Sequence, residues 1–118
     1  MVMAAGPAEG AYVIGDVEVN ELSREVRKAG EVVRLSFLEF NLLLVLAKNA
    51  DRALSKSYLV TKVWNDSLDG KSRSVDQHIF TLRQKLERDP NRPRLIVTVR
   101  GYGFRIPQSP TRMASLPR

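Results

Sequence analysis

Residues 72–106 read SRSVDQHIFTLRQKLERDPNRPRLIVTVRGYGFRI, and the change of period within this stretch decides the fold. Val75, Ile79, Leu82 and Leu86 recur at spacings of four, three and four, the single narrow apolar stripe of a helix over about 72–88. Turning through 3.6 residues per turn, the opposite side of that helix carries Arg73, Gln77, Phe80, Thr81 and Gln84. Asp89-Pro90 stops it, because proline lacks the N–H a helix interior needs. Two short β-like runs follow, 95–99 and 104–106, joined through Arg100-Gly101-Tyr102-Gly103 as a tight hairpin. Those two glycines are turn residues; no strand–glycine–helix unit surrounds them as a nucleotide-binding loop would need.

Upstream, two more helix starts are visible. Ser36 and Glu39 have the S-x-x-E spacing of a capping box, with Leu35 and Phe40 placed for a hydrophobic staple. The following run 37–47 is apolar nearly all round, so that helix is expected to be largely buried until Asn49-Ala50-Asp51 ends it. A second helix begins at Ser55, with Leu59, Val60, Val63 and Trp64 on one face. The polar loop 65–70 ends in Asp-Gly. Before these helices, β-like pieces at 12–14, 17–19, 26–27 and 32–35 alternate with turn signals at Gly15-Asp16, 20–23 and Ala29-Gly30, the pattern of an antiparallel meander. Residues 1–11 are small, Gly/Pro/Ala-rich and aperiodic, and read as a linker remnant; 107–118 carry three prolines and read as a mobile tail. The ordered domain is therefore expected over 12–106.

Composition narrows the chemistry. A chain of 118 residues with 43% hydrophobic and 27% charged side chains fits one globular domain with a modest core. No apolar run approaches the roughly 20 residues that cross a bilayer, and the N-terminus lacks a signal-peptide pattern, which points to the cytoplasm. Absence of cysteine excludes a disulfide framework, and one histidine without cysteine argues against a zinc site. No cofactor is expected. The net charge of +6 is concentrated: between Lys71 and Arg105 stand nine bases and three acids, while the rest of the chain balances. Localised basicity of this kind is the footprint of a polyanionic partner.

Three helices followed by a hairpin, with the basic charge on the third helix and the hairpin, form the winged-helix layout. A helix fits the major groove of DNA, where amide and hydroxyl groups read base edges. Gln77 and Gln84 suit a bidentate contact with adenine, and Thr81 and Phe80 suit contact with a thymine methyl. Phe80 has a second reading, packed against the loop before the helix. Arg73, Arg83 and Lys85 flank this face within reach of phosphates, and Arg100 at the hairpin tip suits a narrow minor groove. His78 is either a phosphate donor or a partly buried structural histidine, and Trp64 is core with its indole N–H near the surface.

The chain resembles the effector domain of OmpR/PhoB-type response regulators. The resemblance spans about 12–106 and rests on four segments. These are LSFLEF at 35–40, the helix around Leu54-Ser55, Leu59 and Val63-Trp64, RSVDQHI at 73–79 with Leu82, Arg83, Lys85 and Leu86, and TVRGYGFR at 98–105. It implies an α+β winged helix-turn-helix with a four-stranded antiparallel N-terminal sheet, three helices and a C-terminal hairpin wing. It further implies that the third helix enters the major groove and that Arg100 reaches the minor groove. Phosphate contacts are implied from Trp64, Arg73, Ser74, His78, Arg83, Thr98 and Phe104. The loop of Asn65, Asp66, Ser67, Leu68, Asp69, Gly70 and Lys71 is implied as the surface that meets RNA polymerase. Binding as a head-to-tail homodimer on direct repeats, from a monomer off DNA, is implied too.

Two departures from the family pattern bear on recognition. Arginines are frequent at the positions of Phe80 and Thr81, so base preference and phosphate grip should differ here. Tyrosine is frequent where Phe104 stands, so any phosphate bond from that hydroxyl is lost. No acidic receiver domain precedes Tyr12, and the small-residue leader favours an output half cut from a longer, phosphorylation-controlled regulator over a stand-alone one. Two other readings compete. A winged helix can serve as a protein-interaction module, against which the polar third helix and its charge argue. An enzyme would need an acid–base or nucleophile pair, which one histidine and no cysteine do not provide.

Overall fold

The computed structural model describes residues 10–64 and 72–107. Four short strands open the chain: β1 (Ala11–Ile14), β2 (Val17–Asn20), β3 (Glu25–Lys28) and β4 (Glu31–Val33). They pair in sequence order, antiparallel throughout. Side chains alternate across a strand, so Val17 and Val19 of β2 and Val26 of β3 turn one apolar face of the sheet into the core. Ala11, placed by sequence in the leader, pairs with Asn20 as the first residue of β1. Leu35 lies beyond the end of β4 and packs against the core instead.

Helix α1 (Phe37–Lys48) starts at the capping box that the sequence announces. The Glu39 N–H donates to Ser36 Oγ at 3.1 Å, and the Ser36 N–H donates to Glu39 Oε1 at 2.9 Å. Phe40, Leu42, Leu43, Leu46 and Ala47 are buried. The expectation of burial nearly all round is corrected at Phe37, which is 69% exposed. Its ring lies under the Arg24 guanidinium, 4.9 Å from the centroid, and Arg24 also covers Phe40 at 4.3 Å while donating to Asn41 Oδ1. A cation over the ring face lets apolar surface stay at the edge of the core.

Strand β5 (Leu54–Ser55) leads into α2 (Lys56–Leu59), which continues as a π-helical turn, Val60–Trp64. Ser55 caps α2, accepting from the Tyr58 N–H at 3.0 Å. Helix α3 (Ser72–Leu86) buries the predicted stripe Val75, Ile79, Leu82 and Leu86. It ends at Leu86, ahead of Asp89-Pro90; the Glu87 N–H closes the last turn on the Arg83 carbonyl at 3.0 Å, and the Glu87 carboxylate accepts from the backbone N–H groups of Arg94, Leu95 and Ile96.

The hairpin β6 (Val97–Val99) and β7 (Gly103–Arg105) then pairs through β7 with β5, making a three-stranded sheet of order β5-β7-β6. β6 is shorter than the run 95–99 read from sequence, and β7 keeps the length of the run 104–106 but starts one residue earlier. At the tip the Tyr102 N–H donates to the Val99 carbonyl, and Gly101 has φ +72°, the left-handed value that the third position of a type II turn requires.

Lys85 ties α3 to α1. Its ammonium lies 2.7 Å from Glu39 Oε1 and 3.0 Å from the Arg34 carbonyl oxygen, turned away from the side expected to meet phosphates. Burial, the largest single influence on Glu39, raises its pKa. The Lys85 and Ser36 hydrogen bonds and the charges of Lys85 and His78 together outweigh it, leaving the carboxyl below its ordinary value. A depressed folded-state pKa means stability that is full above the unfolded value near 4.5 and is lost as pH falls through the folded one. Wild type should therefore exceed Glu39→Gln in unfolding free energy at neutral pH, with the gap beginning to close only as the pH falls below about 4.5. Urea denaturation of the pair at several pH values checks this, and a gap independent of pH would refute it.

Candidate nucleic-acid interface

Two elements shape the site. α3 is fixed on its inner side by the core stripe, on one flank by Lys85 and on the other by Arg83, so its remaining side faces solvent. Gln77 and Gln84 are exposed on that side, and Thr81 between them is half-buried. The Thr81 hydroxyl donates to the Gln77 carbonyl at 3.1 Å. Its hydrogen is thereby committed to the helix, leaving its methyl group and an acceptor lone pair for any partner. Asn65, Asp66, Ser67, Leu68, Asp69, Gly70 and Lys71 lie outside the described residues, as does the side chain of Arg73.

The flank of α3 toward α1 carries Ser74 and His78, both half-buried. His78 Nδ1 is 2.7 Å from the Ser74 carbonyl oxygen, which can only accept, so Nδ1 bears the hydrogen. The imidazole meets the Trp64 indole edge to face, with centroids 5.3 Å apart and planes at 82°. The π-helical turn carries Trp64 to this contact, joining the end of α2 to the flank of α3.

The opposite flank meets the wing. Arg83 donates through Nε and Nη2 to the Ile96 carbonyl at 3.0 and 2.8 Å, and through Nη2 to Thr98 Oγ1 at 2.9 Å. Its guanidinium lies over the Phe104 ring at 5.6 Å. Burial lowers the Arg83 pKa, with the Glu87 charge acting in the opposite sense. Arg83 and Thr98 are thus brought to each other, and Phe104 is buried in the core at 5% exposure. Arg100 stands exposed at the wing tip, with no ion pair among the described residues.

Between this flank and the wing lies an open cleft of about 520 Å³, lined by Phe80, Asp76, Lys56, Arg83, Tyr102 and the wing backbone. Phe80 lines the cleft and is 60% exposed, while the loop of its other reading, 65–71, lies outside the described residues. Lys56 pairs with Asp76 at 3.0 Å within the lining of the cleft. Sequence reasoning missed Lys56, Asp76 and Tyr102 as parts of this surface. The ion pair spans 20 positions with no local signal, whereas Tyr102, a lone aromatic between two glycines at a hairpin tip, was legible as exposed. Among the described residues no three His, Asp or Glu side chains converge as a metal ligand set would.

The family model described as "Transcriptional regulatory protein, C terminal" matches residues 30–106. The response regulator DrrB of Thermotoga maritima, an OmpR/PhoB homolog, superposes with a TM-score of 0.76 at 35% identity, covering 82% of this chain and 44% of that one. The chain belongs to the OmpR/PhoB-type effector-domain family. Another solved effector domain, that of RstA from Klebsiella pneumoniae in complex with the RstA box, has a TM-score of 0.75 at 32% identity, covering 81% of this chain and 95% of that one. Among curated relatives, the DNA-binding response regulator MtrA of Mycolicibacterium smegmatis is 37% identical over 99 residues, 84% of this chain and 43% of MtrA. The transcriptional regulatory protein TrcR of Mycobacterium tuberculosis is 41% identical over 98 residues, 83% of this chain and 37% of TrcR. The effector domain described here thus spans less than half the length of either relative. No helix among its described residues is long and apolar enough to cross a membrane.

Proposed function

We propose that this effector domain reads a specific double-stranded DNA site to regulate transcription, with α3 in the major groove and Arg100 of the wing in the adjacent minor groove. The observation that carries this reading is the solvent-facing row Gln77, Thr81 and Gln84 on a helix held on every other side. The RstA domain solved with its DNA box, on the same fold, supports it. Gln77 and Gln84 discriminate bases, and Trp64, Arg73, Ser74, His78, Phe80, Arg83, Thr98 and the Phe104 backbone border the DNA strand. For His78, a bond to phosphate needs a proton on Nε2, since Nδ1–H is already given to Ser74. Loop 65–71 faces RNA polymerase, and two copies sit head to tail on direct repeats. In the full-length protein a receiver domain controls this unit, which acts at the nucleoid.

Selection of retained sequences from a random duplex library at physiological salt tests the proposal. An enriched direct repeat with half-sites about 10–10.5 base pairs apart is expected. Gln77→Ala should relax preference at one position by about 1–3 kcal/mol and leave the others as they were. An unchanged motif would remove Gln77 from the reading row. Retention without enrichment would leave only phosphate binding, and no retention would overturn DNA as the partner.

A further inference from the structure

We infer that the cleft between α3 and the wing makes a non-ionic contact with the DNA backbone: Phe80 and Tyr102 hold a deoxyribose between them, beside the phosphate that Nη1 of Arg83 takes. The inference rests on the DNA-reading proposal and adds a contact of a different chemical kind. Phe80 is 60% exposed and Tyr102 is 52% exposed, and both line the same cleft. Two large rings open to water share this one cleft, and an apolar partner seated there buries surface of both.

The partner is identified by position. Along α3, Phe80 is turned about 60° from Gln77 toward the flank of Arg83, out of the row that faces base edges. With α3 in a major groove and Arg100 in the neighbouring minor groove, the element running between them is a sugar–phosphate strand. Its sugar offers C–H faces that pack against aromatic rings by dispersion. The polar groups of the cleft match a phosphodiester as well. Arg83 spends three of its five hydrogens on Ile96 and Thr98, leaving both Nη1 hydrogens without a partner among the described residues. Asp76, the one acid in the lining, is neutralised by Lys56 at 3.0 Å. The net charge of the cleft lining is therefore that of Arg83, which stands beside two uncharged rings.

A sugar contact has a signature distinct from both phosphate and base contacts. Losing a phosphate contact flattens the dependence of log K on log salt by about 0.9 per contact on B-DNA. Losing a base contact changes the selected motif. Phe80→Ala and Tyr102→Ala, both at exposed positions, should each weaken binding to every duplex roughly five-fold, with salt slope and motif unchanged. Tyr102→Phe should bind as wild type, because the ring rather than the hydroxyl makes the contact. Titration of wild type and the three variants against a selected and an unrelated duplex, over a range of salt, provides the test. Unchanged affinity in Phe80→Ala and Tyr102→Ala, or a flattened salt slope, would overturn the sugar contact. A motif altered at one position in Phe80→Ala would overturn it in favour of thymine-methyl reading. Failure of wild type to bind either duplex would overturn the DNA-reading proposal itself, a separate and recognisable result.

Discussion

Glu87→Ala should lower the unfolding free energy by about 3–5 kcal/mol, the cost expected when a buried side chain that satisfies three backbone donors, the Ile96 N–H among them fully buried, is removed. The Glu87 carboxylate is 5% exposed and accepts four hydrogen bonds, at 2.8–3.1 Å, from the N–H groups of Arg94, Leu95 and Ile96. Ile96 is fully buried, so its N–H finds no water when the carboxylate goes. The same carbonyl-bearing residue receives Arg83, so the segment that launches β6 is gripped on both its N–H and its C=O side. Glu87→Gln should be nearly as damaging, because one carboxylate oxygen becomes an NH2 pointed at N–H groups. Guanidinium denaturation measures both variants. A loss below about 1 kcal/mol would show that water or a shifted backbone replaces the carboxylate. Since β6 carries Thr98 and leads to Arg100, the surviving folded fraction should also hold the wing less firmly.

The second large effect concerns Gly103. Its φ is not left-handed; the requirement is space. A Cβ there would run into the Leu54 carbonyl oxygen and lie 2.9 Å from both the Leu54 carbonyl carbon and Ser55 Cα. These are backbone atoms of β5, which pairs with β7 through Leu54–Phe104 and Ser55–Gly103, so no rotamer change provides room. Gly103→Ala should therefore separate β7 from β5 and cost about 4 kcal/mol or more, among the larger single-residue losses. Gly101→Ala, where nothing lies within 4 Å, meets only the backbone penalty of φ +72° and should cost about 1–2 kcal/mol. If thermal unfolding ranks the two variants the other way, the close approach of β5 and β7 is not what fixes the glycine.

Local chemistry is what the sequence made legible. The Ser36–Glu39 capping box, the Val75–Leu86 stripe, the turns of the meander and the Gly101 tip each depend on residues within a few positions, and each stands where it was read. What escaped was decided by partners far along the chain. Strand β5 is two residues long and exists because Leu54 and Ser55 meet Phe104 and Gly103. The Glu87 carboxylate is held by amides seven to nine residues on, a contact that no neighbouring residue announces. Arg83 and Lys85 look alike in sequence as phosphate donors; one is drawn to Ile96 and Thr98, the other to an acid 46 residues upstream. Charge composition shows how many cations a segment has but not which are consumed inside the fold.

Three charged residues near the end of α3 therefore act as anchors. Arg83 holds the wing, Lys85 holds the start of α1, and Glu87 holds the entry to β6. None of the three is among Gln77, Thr81 and Gln84, which have no part in the core cluster. Scaffold and lettering thus occupy different positions on one helix. Over evolutionary time the outward row can be rewritten, one operator exchanged for another, without a folding penalty restraining each step. A lineage of duplicated genes could then diversify its targets while every descendant keeps the same architecture.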